Sequence, residues 1–390
     1  MKILYGYTNC TNKKYNELFS EKKLSVLLAD QKYHSLLIDG LNKVGAEVLC
    51  VSGLPINRRV TKKLFINEKD EEENGVKYHY IRSVNFPVLR QLCIYFGTLR
   101  FFKKNYKKGE KDVFALCDCL NLANAAATAK AAEKYKLPLV YIVTDIPEFQ
   151  RGKFFKKLND KIISRADGFV FLTKQMNDKV NPRKMPYIVL EGHSDASLSE
   201  IKRSERYECT YGKKVVIYAG SLKKLYGIQN LVEGFIKANI ENAELHIYGD
   251  GDYREELEAV CKTHDNVVYK GVLPNAEIVY AEQRAALLVN PRPSGPEYTK
   301  YSFPSKTMEY MVSGTPVLMT KLPGMPTEYY PYLFFIEDES AEGIKRALTE
   351  VLAVSEKERN DIGDKAREFM LKEKNNVVQS KKLTDFLKSL

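Results

Sequence analysis

The feature that most restricts how this chain folds is an alternation. Short apolar runs recur, each followed by a segment in which apolar residues return with helical period. Lys2–Tyr7, residues 33–44 and Glu47–Ser52 form the first group, and residues 112–120, 122–135 and 138–143 the second; 168–173 and 187–190 add two further runs. A run that is apolar on both faces is a strand covered on both sides, the condition of a parallel sheet with crossover helices. The pattern restarts at residue 215 with runs at 215–221, Ala243–Tyr248, 267–271 and 286–290, separated by helical segments at 228–238, 253–263 and 275–284. Residues 196–214 between the two halves are polar and charged without period, as a linker is. The expected fold class is α/β, with two doubly wound parallel-sheet domains at residues 1–195 and 215–375. A chain of 390 residues is long enough for each to have its own core.

Composition narrows the class. With 44% apolar and 28% charged residues the chain is ordinary globular material rather than a disordered polymer. Its start passes from Met1-Lys2-Ile3-Leu4 straight to polar residues, unlike a secretory signal, and no apolar run approaches the length of a membrane span. The seven cysteines follow no zinc or thioredoxin spacing, so they are expected to be reduced thiols in a cytoplasmic protein. A net charge of +11 favours an acidic partner: nucleic acid, anionic lipid or a phosphorylated substrate. No nucleic-acid module is recognisable, which ranks the first of these low. Residues 88–108 join apolar and aromatic side chains to a basic end, and 149–157 repeat that composition, which suits an anionic membrane surface. The alternative for 88–108 is a core helix with a solvated basic end.

Residues 303–317 read as a helix of about three turns with a purpose at its start. Pro304 suits the first turn, Ser302 or Phe303 the cap, and Gly314 followed by Pro316 the stop. Met308, Met311 and Val312 give a core face, while Ser305 and Glu309 share another. A helix start offers free N–H groups and a positive dipole end, to which Ser305 and Lys306 add a hydroxyl and a cation; together these suit a diphosphate. Glu309, about 5–6 Å further along the axis, is spaced to accept hydrogen bonds from a ribose diol. Taken alone, the pattern also describes a capped core helix whose Lys306 and Glu309 face water.

This stretch, Phe303-Pro304-Ser305-Lys306 through Glu309-Tyr310-Met311 to Ser313-Gly314-Thr315-Pro316-Val317, resembles the donor-site helix of the retaining glycosyltransferases of family four, above all those of exopolysaccharide and capsule biosynthesis. The likeness runs from Val215 to about Phe335, through VVIYAGSL, YGIQNLVEGF, LHIYGDGD, VVYKGVLP and LLVNPRP. It implies the GT-B fold: two Rossmann-like domains facing across a cleft, acceptor on the first and nucleotide sugar on the second, with the last helix, 376–390, returning to the first domain. It also implies transfer of a sugar, with retention, from a nucleotide diphosphate-sugar to a glycan acceptor. A lipid-linked intermediate of a surface polysaccharide is the acceptor expected. No metal or other cofactor is implied, and the enzyme is expected in the cytoplasm, peripheral on the inner face of the membrane.

Residue by residue, the resemblance assigns Gly220 and Ser221 to the turn beside the donor diphosphate. Relatives place an arginine and a lysine where this chain has Ser221 and Tyr226, so Lys223 and Lys224 are the expected sources of charge. Gly249 and Gly251 form the nucleotide-side turn, and the backbone of Val272 and Leu273 the seat of the base. Relatives carry two glutamates eight residues apart; Glu309 matches the second, Tyr301 stands at the first, and Glu297 and Arg292 are the expected substitutes. Tyr301, Ser302 and Phe303 complete the donor-binding set with Ser305, Lys306 and Glu309. In the first domain the glycines of the family's first loop are absent from residues 8–30, leaving Gln31, Lys32 and His34 as stand-ins. Asp145 follows a strand at its carboxyl end, after Thr144 where relatives have histidine. Its expected role is to orient the acceptor hydroxyl, the alternative being a loop cap. The expected catalytic set is Asp145, Lys306 and Glu297. The replaced residues leave a second reading open, a sugar-nucleotide-binding protein without turnover.

Overall fold

The computed structural model describes residues 1–19, 28–58, 60–146, 157–200 and 212–390. They form two compact units, Met1–Asp195 with Lys374–Leu390, and Ala196–Glu373.

The first unit carries strands β1 (Lys2–Tyr7), β2 (Glu47–Ser52), β3 (Phe65–Ile66), β4 (Glu71–Glu73), β5 (Val76–Tyr80), β6 (Ser83–Val84), β7 (Val113–Asp118), β8 (Leu139–Val143), β9 (Gly168–Phe171) and β10 (Tyr187–Val189). Its main sheet runs β10-β9-β8-β7-β1-β2-β5-β4, parallel throughout except for the β4–β5 pair. Strands β3 and β6 form a separate antiparallel ribbon. Helices α1 (Asn12–Phe19), α2 (Leu28–Lys43), α3 (Pro87–Asn105), α4 (Leu122–Tyr135) and α5 (Lys174–Val180) accompany these strands. Helix α1 and the strands β3 to β6 lie where no element was expected, in segments 8–30 and 57–85, which are polar and charge-rich. Helix α1 occupies part of the region read as a polar loop, with the Glu73 carboxylate accepting from Asn12 N–H at 3.1 Å at its start. Strand β5 sits in the charge-rich segment 57–85; it buries Val76, Tyr78 and Tyr80 and turns Lys77 outward, so its polar half hid it.

Helix α3 is apolar on two sides. Ile94, Thr98, Phe101 and Phe102 are buried, while Val88, Leu89, Leu92 and Phe96 are exposed, the last at 53%. One face of the helix thus lies in the core and the other is exposed. Of 149–157, all but Lys157 lie outside the described residues. Among the described residues no helix is long and apolar enough to cross a membrane.

The second unit carries β11 (Lys214–Ala219), β12 (Ala243–Tyr248), β13 (Val267–Gly271), β14 (Leu287–Asn290), β15 (Val317–Thr320) and β16 (Phe334–Ile336). Its sheet is wholly parallel in the order β13-β12-β11-β14-β15-β16. Helices α6 (Ile228–Ala238), α7 (Arg254–Cys261), α8 (Asn275–Arg284), α9 (Ser305–Ser313), α10 (Ala341–Ala353) and α11 (Glu356–Glu373) accompany it. One core cluster joins Val216, Leu245 and Val289 to Leu231, Phe235, Leu348 and Leu352; the other joins Ile217, Leu288 and Met319 to Met308, Met311 and Ala366. The strand order turns back between β11 and β14, and in such sheets the crevice at that reversal is where ligands bind.

The last helix, α12 (Asn376–Ser389), belongs to the first unit. Asn375 caps it by accepting from Val377 and Val378 N–H, both at 2.9 Å. Asn376 reaches Asp39 of α2 at 2.8 Å, and a Cβ on Gly40 would strike the Asn376 backbone, so that glycine sets how closely the two helices approach. Leu383 and Leu387 are fully buried in the first unit's core.

Candidate active site

Three glycine turns at the carboxyl ends of β11, β12 and β13 are laced together through the backbone. Gly220 N–H donates to Tyr248 O at 2.9 Å, Leu222 N–H to Asp250 O at 2.9 Å and Gly249 N–H to Gly271 O at 2.9 Å. The Tyr269 hydroxyl adds a bond to Gly249 O at 2.8 Å. Gly249 has φ +128°, and a Cβ there would run into the Gly220 carbonyl; one on Gly251 would meet the Leu222 backbone. Glycine is needed at both because main chain packs against main chain. The result is a rigid ledge of backbone at the sheet's ligand edge.

Helix α9 delivers its first turn to this ledge. It begins at Ser305 with Pro304 as the N-cap residue and no side-chain cap, so neither Ser302 nor Phe303 caps it; Phe303 instead packs on Tyr329 in the core. The first N–H groups thus remain open to an anion. Ser305 is exposed at the tip, and Glu309, one turn on, is half-buried. Met308, Met311 and Val312 are buried, which anchors the helix.

Lys306 does not reach into water as a free cation at a helix start would. Its ammonium donates to the Ala219 carbonyl at the end of β11 and lies 4.5 Å from the Tyr218 ring centroid. A Cβ on Gly220 would collide with it, so that glycine makes the room. Burial pushes the Lys306 pKa down to about 8, against the pull of Glu282 and Glu309 and with Arg292 adding to the fall. The chain holds a cation where it is costly, facing the strand reversal. Glu282 on α8, buried, and Tyr310, which accepts from Ala219 N–H at 2.9 Å, belong to this environment. Tyr310 and Tyr218 lie inside the motifs that carry the resemblance, which assign them no role, and Glu282 lies in none; only packing brings the three to Lys306.

Arg292 follows β14 across the reversal, stacked at 5.4 Å from the Tyr226 centroid and 4.9 Å from that of Tyr298. Arg292 Nε, Tyr298 Oη and Ser302 Oγ are buried and have no hydrogen-bond partner among the described residues. Unpartnered buried polar atoms of this kind are met by water, an ion or a polar ligand. Glu297 is exposed and Tyr301 half-buried, both on a single 3₁₀ turn, Glu297–Tyr301. Lys224 departs from expectation: exposed, it pairs with Glu256 and its N–H donates to Asp252 at 2.8 Å, so a neighbouring carboxylate already answers its charge. Lys223 is exposed beside it, and the Ser221 carbonyl accepts from the Tyr218 hydroxyl at 2.7 Å. Val272 is 69% exposed, and Leu273 packs on the second core cluster.

In the first unit Asp145 follows β8, and its Oδ1 accepts from Ile146 N–H at 2.8 Å, the geometry of a local turn. Gln31 is a latch: Nε2 donates to Cys10 O at 2.6 Å and Oε1 accepts from Cys10 N–H at 3.2 Å. His34 is fully buried.

A family model described as glycosyl transferases group 1 matches residues 202–369, the segment that contains the ledge, Arg292 and Lys306. The matched segment falls within the second unit, Ala196–Glu373. No curated protein matches the chain in sequence. In structure it is similar to HepE from Anabaena in complex with UDP, at 16% identity and TM-score 0.69, covering 100% of both chains. It is also similar to sucrose-phosphate synthase from Thermosynechococcus elongatus, at 12% identity and TM-score 0.68, covering 100% of this chain and 98% of that one. The apo lipopolysaccharide outer core galactosyltransferase WaaB, at 15% identity and TM-score 0.63, is matched over 100% of this chain and 99% of its own. The fold of this glycosyltransferase is GT-B.

Proposed function

We propose that this glycosyltransferase moves a sugar from a nucleoside diphosphate-sugar to a glycan acceptor, with the diphosphate at the start of α9 and the ribose at Glu309. The observation that carries this reading is the half-buried Lys306, its ammonium turned onto the Ala219 carbonyl and its pKa lowered, beside an uncapped helix start at the strand reversal. A diphosphate brought there regains for Lys306 the charge partner that burial denies it, and the helix start and Lys306 oppose the negative charge that builds on the leaving group. They take the part a metal ion plays elsewhere. HepE was solved with UDP and with UDP-glucose, which supports a uridine nucleotide as the first donor to test.

In the step itself the acceptor oxygen bonds to the anomeric carbon on the face from which the diphosphate departs, and the hydroxyl proton passes to the departing phosphate oxygen. The configuration is then retained. Asp145 and Glu297 are proposed to orient acceptor and donor sugar, and Arg292 stands for the cation missing after Gly220. The exposed stripe of α3, followed by Lys103, Lys104, Lys107 and Lys108, fits a headgroup surface rich in anionic lipid, and so a lipid-linked acceptor of the exopolysaccharide or capsule kind, presented at the cytoplasmic face.

The test is a thermal-shift series with UDP, GDP, ADP and UDP-glucose, followed by assay of UDP release. One nucleotide is expected to raise the melting temperature in proportion to the logarithm of its concentration. Lys306→Ala and Glu309→Ala are each expected to weaken that effect at least tenfold. Stabilisation undiminished in both variants places the nucleotide elsewhere and ends the reading.

A further inference from the structure

At the carboxyl edge of the first unit's sheet, three elements bring polar side chains together. Asn9 follows β1, Thr144 follows β8, and Asp30 stands in the first turn of α2. Asp30 Oδ2 accepts from Asn9 Nδ2 at 3.2 Å, and the carboxylate also accepts from the Thr144 hydroxyl. Asp30 Oδ1 lies 3.4 Å from His34 Nε2, one helical turn on. His34 is fully buried, and its Nδ1 bonds the equally buried Tyr5 hydroxyl at 2.5 Å. The Tyr7 and Tyr33 rings pack round the imidazole, with centroids at 5.5 and 5.4 Å. Of Tyr5, His34 and Asp30 only Asp30 is partly open, its side chain 20% exposed. A polar chain thus starts inside the sheet at Tyr5 and surfaces as a carboxylate at the edge where parallel sheets take ligands.

We infer that Asp30 is the hydrogen-bond acceptor for a hydroxyl of a neutral sugar acceptor, with His34 as the positioning residue behind it. This rests on the glycosyl-transfer reading above. Apolar side chains would join β1 to α2 without the cost of burying an ion pair, so the pair has a purpose beyond packing. Asn9 Oδ1, on a residue 1% exposed, has no hydrogen-bond partner among the described residues, so beside the Asp30 carboxylate the seat has a spare acceptor and calls for a donor. Asp118 ends β7, the strand between β1 and β8, and Asp145 follows β8; carboxylates gathered at one edge repel an anion and suit the hydroxyls of an uncharged ring.

The electrostatics agree. Burial works against both charges of the pair, but the His34 charge with hydrogen bonds from His34, Asn9 and Thr144 holds Asp30 below its ordinary range, and Asp30 holds His34 above its own. The titratable groups facing His34 are Tyr5 and Tyr7 from β1, Asp118 from β7, His193 after β10, and Tyr33 and Asp30 of its own helix. A carboxylate so held stays ionised. It fixes the direction of a hydroxyl and leaves the proton to the departing phosphate.

Saturation-transfer NMR on the full chain tests this, with octyl glycosides of glucose, galactose, mannose and N-acetylglucosamine as probes. At least one is expected to bind the wild-type chain, and Asp30→Asn and Asp30→Glu to weaken it by roughly ten- to a hundredfold, as for a hydrogen bond to a charged group. The imidazole titration of His34 separates binding from packing. Its midpoint is expected to fall in Asp30→Asn and to stay near wild type in Asp30→Glu, which keeps the charge but moves it by one methylene. Should Asp30→Asn fail to fold, Asp30→Glu carries the test. Wild-type protein that binds none of the four glycosides, or an Asp30→Glu chain that binds as tightly as wild type, overturns the inference. UDP affinity measured on the same samples reports the donor side, so its absence in the wild type would count against the glycosyl-transfer reading and not against Asp30.

Discussion

The Lys306 ammonium lies 4.5 Å from the centroid of the Tyr218 ring, donating to a carbonyl of the strand that Tyr218 belongs to. A cation pressed against an aromatic face gains something there, but not what water would give it. Lys306→Met removes the buried charge and keeps the length of the stem. Since one pKa unit is worth about 1.4 kcal/mol, this variant is expected to be more stable than wild type at pH 7, by up to the order of 3 kcal/mol. It is also expected to bind UDP ten- to a hundredfold more weakly, about the loss of one charge-assisted hydrogen bond. Thermal melts and calorimetric titration check the two halves.

The same lysine predicts a pH dependence with a definite sign. Its pKa falls from 10.5 in the unfolded chain to about 8 in the folded one. Between those values the unfolded chain binds more protons, so this group makes stability rise with pH across the window, its full penalty lying below pH 8. Nucleotide affinity is expected to go the other way, falling as pH climbs through about 8 while Lys306 loses its charge. In Lys306→Arg the decline should be absent over this range, which isothermal titration at several pH values will show.

Gly249→Ala is expected to damage the ledge itself. The added Cβ meets the Gly220 carbonyl and sits on a backbone at φ +128°, so the two turns must part. Strain of this kind costs about 1–3 kcal/mol before any clash. Urea unfolding should show the loss, and UDP binding should suffer more than the lost stability explains.

In the first unit Lys374 and Glu191 form an ion pair with side chains 4% and 3% exposed. Lys374→Ala leaves the Glu191 carboxylate buried without its partner, for an expected loss of about 3–5 kcal/mol. The double variant Lys374→Met, Glu191→Leu should recover most of it. Denaturant midpoints of the three chains decide the matter.

For α3 the prediction concerns its outer stripe. Leu89→Ser, Leu92→Ser and Phe96→Ser together should leave the melting temperature nearly unchanged, since all three side chains are exposed. Sedimentation with vesicles rich in phosphatidylglycerol is expected to fall sharply, and to fall with added salt in the wild type. Equal sedimentation of variant and wild type would remove the membrane face, and retention on DNA in its place would redirect the meaning of the +11 charge.

The amino-acid sequence by itself determined the doubly wound architecture and the place of α9. Strands covered on both faces, such as Val215 to Ala219 and Leu139 to Val143, must be apolar throughout, and a helix with one face in the core must carry apolar residues at the spacing of Met308, Met311 and Val312. Those are local requirements, so they are written locally. Tertiary structure alone decided the rest. It folded Lys306 under the Gly220 turn and lowered its pKa, answered Lys224 with Glu256, placed β5 in a charged segment, and joined Tyr5, His34 and Asp30 into one polar chain. The physical reason is that the charge state of a side chain depends on what surrounds it in space. Tyr218 lies 88 residues from Lys306 along the chain, and no spacing or composition records that they touch.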